Sequence, residues 1–126
     1  FNMVSDMFGI FFKNLRKSKN VTQKQIADAI GKSTMLISGI ETGKNGPFTE
    51  ADLELISKTL MLSETEKSQL FIEAAKTKRT LPTYLLDYVI CHDDVYDLLE
   101  VLAQKNMEEK SLKEIVKYAK EIGKNV

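Results

Sequence analysis

Residues 22–43 read TQKQIADAIGKSTMLISGIETG, and the order of caps, apolar positions and glycine in this stretch predicts two short helices meeting at a tight turn. Thr22 suits an N-cap, because its hydroxyl can accept from a backbone N–H of the first turn, and Gln25 can close a capping box. Ile26 and Ile30 recur at helical spacing, while Ala27 leaves room for a neighbouring helix. Gly31 ends the first helix, since helix C-termini commonly turn through positive φ, which glycine adopts at little cost. Ser33 caps the second helix, whose Leu36, Ile37 and Ile40 form an inward stripe and whose Thr34, Met35 and Ser38 face outward.

Upstream, FGIFFKNLRKSKN at residues 8–20 supplies another amphipathic helix with Phe8, Phe12 and Leu15 on one face. Two helices set about a glycine turn, the second opening with small polar residues, form the layout of a helix-turn-helix, a motif whose second helix can enter a DNA groove. The elements Leu15-Arg16, Thr22-Gln23, Ala27, Gly31, Ile37 and the ending Ile40-Glu41-Thr42-Gly43-Lys44 agree with one another. On these residues the chain, from Phe8 to about Leu62, resembles the Cro and lambda-repressor type (XRE) helix-turn-helix regulators. Beyond Leu62 it is similar, more loosely, to small regulators of mobile elements that append a helical extension in place of a catalytic domain.

The resemblance implies an all-α fold: a lambda-repressor-like helix-turn-helix bundle over residues 1–62, then a helical extension over 63–126 that serves dimerisation or partner binding. It places helix 33–41 in the major groove of double-stranded DNA. By family position, Gln23, Lys32, Thr42, Lys44 and Asn45 hold the DNA backbone. Ser33, Thr34, Met35 and Ser38 face the bases, with Gly39 on the same side. Arg16 and Glu41 match residues that form a structural ion pair between the first helix and the end of the second motif helix. The base-facing set has no arginine, asparagine or glutamine for bidentate contact with guanine or adenine, so DNA shape is expected to carry more of the readout.

The rest of the chain reads as helix. Lys44-Asn45-Gly46-Pro47 is a turn cluster, and Thr49 with Asp52 opens a helix to about Thr59 whose Leu53 and Ile56, with Leu60 beyond, close the core. Ser63 and Glu66 form a capping box for a helix to about Lys76 with Leu70, Phe71 and Ala74 available for packing. Thr80-Leu81-Pro82 breaks the chain before a helix with Tyr84, Leu85, Tyr88 and Val89 on its apolar face. Asp93 is expected to cap a further helix carrying Val95, Leu98, Leu99 and Leu102. Ser111 with Glu114 is expected to box the last one, which carries Ile115, Val116, Ala119 and Ile122 and stops near Gly123. Phe1 and Asn2, ahead of Met3, are given no role in the fold.

Composition narrows the function classes. The 126 residues, 43% hydrophobic, suffice for one compact unit with an annex. A single cysteine leaves no internal disulfide framework and favours the cytoplasm. No segment approaches the roughly 18 to 20 apolar residues of a membrane span, and the run Phe8 to Phe12 reads as a buried helix face rather than a signal peptide. The net charge of zero hides an asymmetry, for residues 1–48 carry seven basic and three acidic side chains, a net +4, and the remainder eleven basic and fifteen acidic, a net −4. That division suits a polyanion-binding half joined to a half that stays off the polyanion.

Catalysis finds little support. Cys91-His92-Asp93-Asp94 is the one cluster of candidate ligands, yet four adjacent residues lack the separated pairs of a structural zinc site, and no HExxH motif occurs. About sixty residues follow the motif, too few for the self-cleaving serine-lysine domain of some phage repressors. The chain is therefore expected to be a non-enzymatic, cofactor-free regulator, a repressor acting as a homodimer. The alternative is an antitoxin-like or inhibitor protein whose residues 63–126 bind a protein partner.

Overall fold

The computed structural model describes residues 3–124, and Phe1 and Asn2 lie outside them. The described residues form eight helices and no strand: α1 (Met3–Ser18), α2 (Gln23–Ile30), α3 (Thr34–Glu41), α4 (Glu50–Thr59), α5 (Glu64–Thr77), α6 (Thr83–Ile90), α7 (Asp93–Gln104) and α8 (Glu109–Gly123). The chain divides into two compact units, with Thr83 the last residue of the first and Tyr84 the first of the second.

The first unit is built on α1 to α5. Helix α1 lays Phe8 and Phe12 into the centre, their rings stacked at 6.1 Å, and Phe48 meets Phe12 edge-on at 4.9 Å. Ile26 and Ile30 of α2, Ile37 and Ile40 of α3, and Leu53 and Ile56 of α4 close around these rings. Phe48 follows the turn cluster at residues 44–47, which sequence reading treats as connection; the chain instead turns this ring into the core, as burying a phenyl side chain favours by about 1.5 to 3 kcal/mol.

Helix α5 departs from the expected boundary at residue 62. Its Leu70, Phe71 and Ala74 lie in the same core as α1 and α4, so the helix opening the expected extension is a wall of the first unit. The physical reason lies in the amphipathic pattern: an apolar face of this size is stable only against another, and α1 and α4 present one. An ion pair also joins α5 to the end of α1, with Lys19 Nζ 2.9 Å from Glu66 Oε2. Glu66 at once completes the capping box of α5, accepting from the Ser63 backbone N–H at 2.9 Å.

In the second unit α6, α7 and α8 carry no buried residue. Two helix starts differ from expectation. His92, not Asp93, occupies the N-cap of α7, with Asp93 and Asp94 in its first turn, where carboxylates favour the exposed N–H groups. Helix α8 begins at Glu109 after an N-cap at Glu108, so Ser111 falls inside the first turn and no capping box forms. Among the described residues no helix is long and apolar enough to cross a membrane.

Candidate nucleic-acid interface

The geometry of α2 and α3 is set by local chemistry. Thr22 Oγ1 accepts from the Gln25 N–H at 3.1 Å, and Gln25 Oε1 accepts in return from the Thr22 N–H at 2.8 Å. Gly31 adopts the left-handed conformation with φ 68° and ψ 35°, a region that costs other residues about 1 to 2 kcal/mol. Two residues later Ser33 Oγ caps α3 by accepting from the Leu36 N–H at 3.1 Å. Together these devices end one helix and restart the next within three residues.

The angle of α3 against the unit is held by a buried polar cluster. Arg16 of α1 donates from Nε to Glu41 Oε2 at 2.7 Å and from a second guanidinium nitrogen to Glu41 Oε1 at 3.0 Å. Its remaining nitrogen donates to the Val21 carbonyl at 2.9 Å. Gln23 adds a donation from Nε2 to Glu41 Oε1 at 2.9 Å. One carboxylate thus gathers the end of α1 and the start of α2 at the last residue of α3. Bidentate, charge-assisted geometry of this kind satisfies a buried pair that would otherwise be costly to desolvate.

A close backbone approach, which the sequence analysis missed, makes this cluster reachable. At Gly9 of α1 an added Cβ would stand 2.5 Å from the Glu41 carbonyl oxygen and 2.6 Å from that of Ile40. The available signal is a glycine inside an apolar helical run, where it costs about 1 kcal/mol relative to alanine and so calls for a packing reason.

The residues expected to face DNA differ in exposure. Ser33, Thr34 and Met35 are exposed, Met35 at 83%, and Ser38 is half-buried. Gly39, expected on the base-facing side, is buried. The Asn45 side chain lies over it, occupying the place a Cβ would take, and the Asn45 N–H donates to the Gly39 carbonyl at 3.0 Å. What the surface offers at that point is therefore the amide of Asn45. Gln23, expected on the DNA backbone, is half-buried with one amide hydrogen engaged by Glu41. Lys32, Thr42 and Lys44 are exposed, and Thr42 Oγ1 donates to the Gly39 carbonyl at 3.3 Å.

Electrostatically, the sole carboxylate of α3 is Glu41, and it is turned inward onto Arg16. The exposed side of α3 thus carries no negative charge, while Lys32 and Lys44 flank it at either end. Such a surface can meet a phosphate backbone without like-charge repulsion.

In the cluster at residues 91–94 it is the His92 side chain that engages the backbone. Cys91 is exposed, and His92 Nδ1 lies 2.7 Å from the Tyr88 carbonyl, which can only accept, so this nitrogen carries the proton. The imidazole stacks on the Tyr88 ring at 4.1 Å.

A family model described as a helix-turn-helix domain matches residues 7–70, from α1 into α5. No curated protein and no solved structure matches the chain.

Proposed function

The chain belongs to the helix-turn-helix domain family, and on that footing we propose that it is a transcriptional regulator, a repressor of the Cro and lambda-repressor type, that binds double-stranded DNA in the cytoplasm as a homodimer. The observation that carries this reading is the outward face of α3, on which Ser33, Thr34 and Met35 are exposed between Lys32 and Lys44 with the helix's carboxylate withdrawn beneath. In the proposed complex α3 is the recognition helix in the major groove.

Lys32, Lys44, Thr42, Asn45 and the second amide hydrogen of Gln23 hold phosphates, contacts that fix register without reading sequence. Met35 and Thr34 press on thymine methyl groups, and Ser33 and Ser38 bond base edges with little discrimination. Shape and deformability of the operator supply the remainder.

The test is a titration of short duplexes containing the DNA upstream of the gene, repeated at several salt concentrations. The logarithm of affinity should fall against the logarithm of salt with about −0.9 in slope for each phosphate neutralised. Failure to retain any duplex at low salt would remove the proposal. A second reading, an antitoxin-like protein whose extension binds another protein, is favoured by the exposed apolar side chains of α6 to α8. A toxin encoded beside this gene would support it.

A further inference from the structure

We propose that the second unit is completed by a second copy of this chain, through a reciprocal contact in which one stripe of α7 from each copy lies in the groove along α8 of the other. The need for a partner comes from burial. No residue after Pro82 is buried among the described residues, and a unit of roughly 40 residues without a core ordinarily requires a disulfide, a metal or association to hold its fold. The one cysteine excludes an internal disulfide, and no group of three or more metal-binding side chains occurs among the described residues. Association with another chain supplies such burial.

The choice of a second copy rests on self-complementarity. Asp94, Asp97, Leu98 and Val101 stand three, four and seven residues along from the first, so they form one face of α7, and all are exposed. On α8, Leu112 and Val116 floor a shallow groove of about 420 Å³, rimmed by Lys113, Lys117 and Lys120 and, at one end, by Glu109. Two apolar side chains bordered by carboxylates thus match two apolar side chains bordered by a net positive rim, in which Glu109 offsets Lys113 and leaves the ammonium groups of Lys117 and Lys120. Neither aspartate makes an ion pair within the described chain, and nor do Lys117 and Lys120; Lys113 is bound to Glu109 of its own helix at 3.2 Å.

Both halves of the match lie in the same chain. A two-fold axis therefore uses each twice, since residue i meets j and j meets i in an isologous interface. A foreign partner would have to carry its own complement to each surface, whereas a second copy of this chain already carries both.

The role of a dimer on DNA rests on the regulator reading, but the test of the contact does not, because the mass of this chain is measured without DNA. Sedimentation should show the native chain as a dimer at tens of micromolar. The variant Asp94→Lys/Asp97→Lys should dissociate at that concentration, as should the variant Lys113→Glu/Lys117→Glu/Lys120→Glu, each with a dimer constant weakened at least tenfold at low salt. Their equimolar mixture should recover a dimer, for one of its two contacts sets the new lysines of α7 against the new glutamates of α8 and the other keeps the native aspartates against the native lysines. Pairing of these stripes within one chain would leave the mixture monomeric. A monomeric native chain, variants that dimerise normally, or a mixture that stays dissociated would each overturn the proposal, and a monomer that captures a different protein would reassign the face to that partner.

Discussion

Asn45 lies across Gly39, its amide filling the space where any other residue of the helix would place a Cβ, and its own N–H donates to the Gly39 carbonyl. The turn after α3 is thereby folded back onto the outward side of that helix.

The two glycines that carry close contacts should respond oppositely to alanine. At Gly9 the obstruction is the backbone carbonyls of Ile40 and Glu41, which cannot yield, so Gly9→Ala is expected to cost about 1 to 3 kcal/mol as overpacking. At Gly39 the obstruction is the far end of the Asn45 side chain, which can swing away while alanine gains about 1 kcal/mol of helix propensity. Urea unfolding of both variants checks this. An equal loss at the two positions would mean that Asn45 is locked in place.

Arg16 and Glu41 should behave as one unit. Removing either partner leaves the other charge buried, with an expected loss of about 3 to 5 kcal/mol. The double variant should therefore lose less than the two single losses together, with a coupling of about 0.5 to 3 kcal/mol in a denaturant cycle. Additive losses would show that the carboxylate is held by Gln23 and solvent instead.

Positioning and reading should separate in DNA binding. Lys44→Ala is expected to weaken operator and random duplex alike and to lower the salt slope by about one contact. Replacing Met35 or Ser38 should change the ratio between the two, by about 1 to 3 kcal/mol for a lost base contact. Competition titrations with both duplexes measure each. A ratio that survives the Met35 and Ser38 variants would move the reading face elsewhere.

Acid should loosen the seam between α1 and α5. The Ser63 backbone N–H, followed by Lys19, lowers the Glu66 carboxyl below the ordinary carboxylate value. A lowered folded value stabilises the native state fully above the unfolded one, and that contribution disappears as pH falls through the folded value. Melting temperatures of Glu66→Gln and the native chain should accordingly differ near neutrality and converge in acid, below the ordinary carboxylate range. A constant gap across that range would assign the effect to packing.

Legibility followed the range of the interaction. The caps at Thr22, Ser33, Thr49 and Ser63 and the turn at Gly31 depend on residues within a few positions, so composition and spacing reveal them. The inward stripes of α2 to α4 are equally local. Gln23 on Glu41, Gly9 under the Glu41 carbonyl and Asn45 over Gly39 all depend on how segments approach in space, which periodicity does not encode. The membership of α5 is intermediate: its apolar face is readable, but nothing in the pattern says which neighbour receives it. Asp93 and Ser111 failed as caps because a carboxylate or hydroxyl serves a first turn as readily as its cap, and neighbouring residues took the cap positions.

Among the described residues, glycine occupies the left-handed backbone positions on both sides of α3, at Gly31 and Gly43, whereas the turns after α1, α4, α5 and α7 place Asn20, Met61, Arg79 and Asn106 there. The bends that aim α3 are thus free of conformational strain, and the strain that exists lies at other helix ends. Met61, exposed and left-handed with φ 52°, holds about 1 kcal/mol that glycine would release. Thermal tolerance of the scaffold can therefore be raised at such a junction while the surface of α3 keeps its shape.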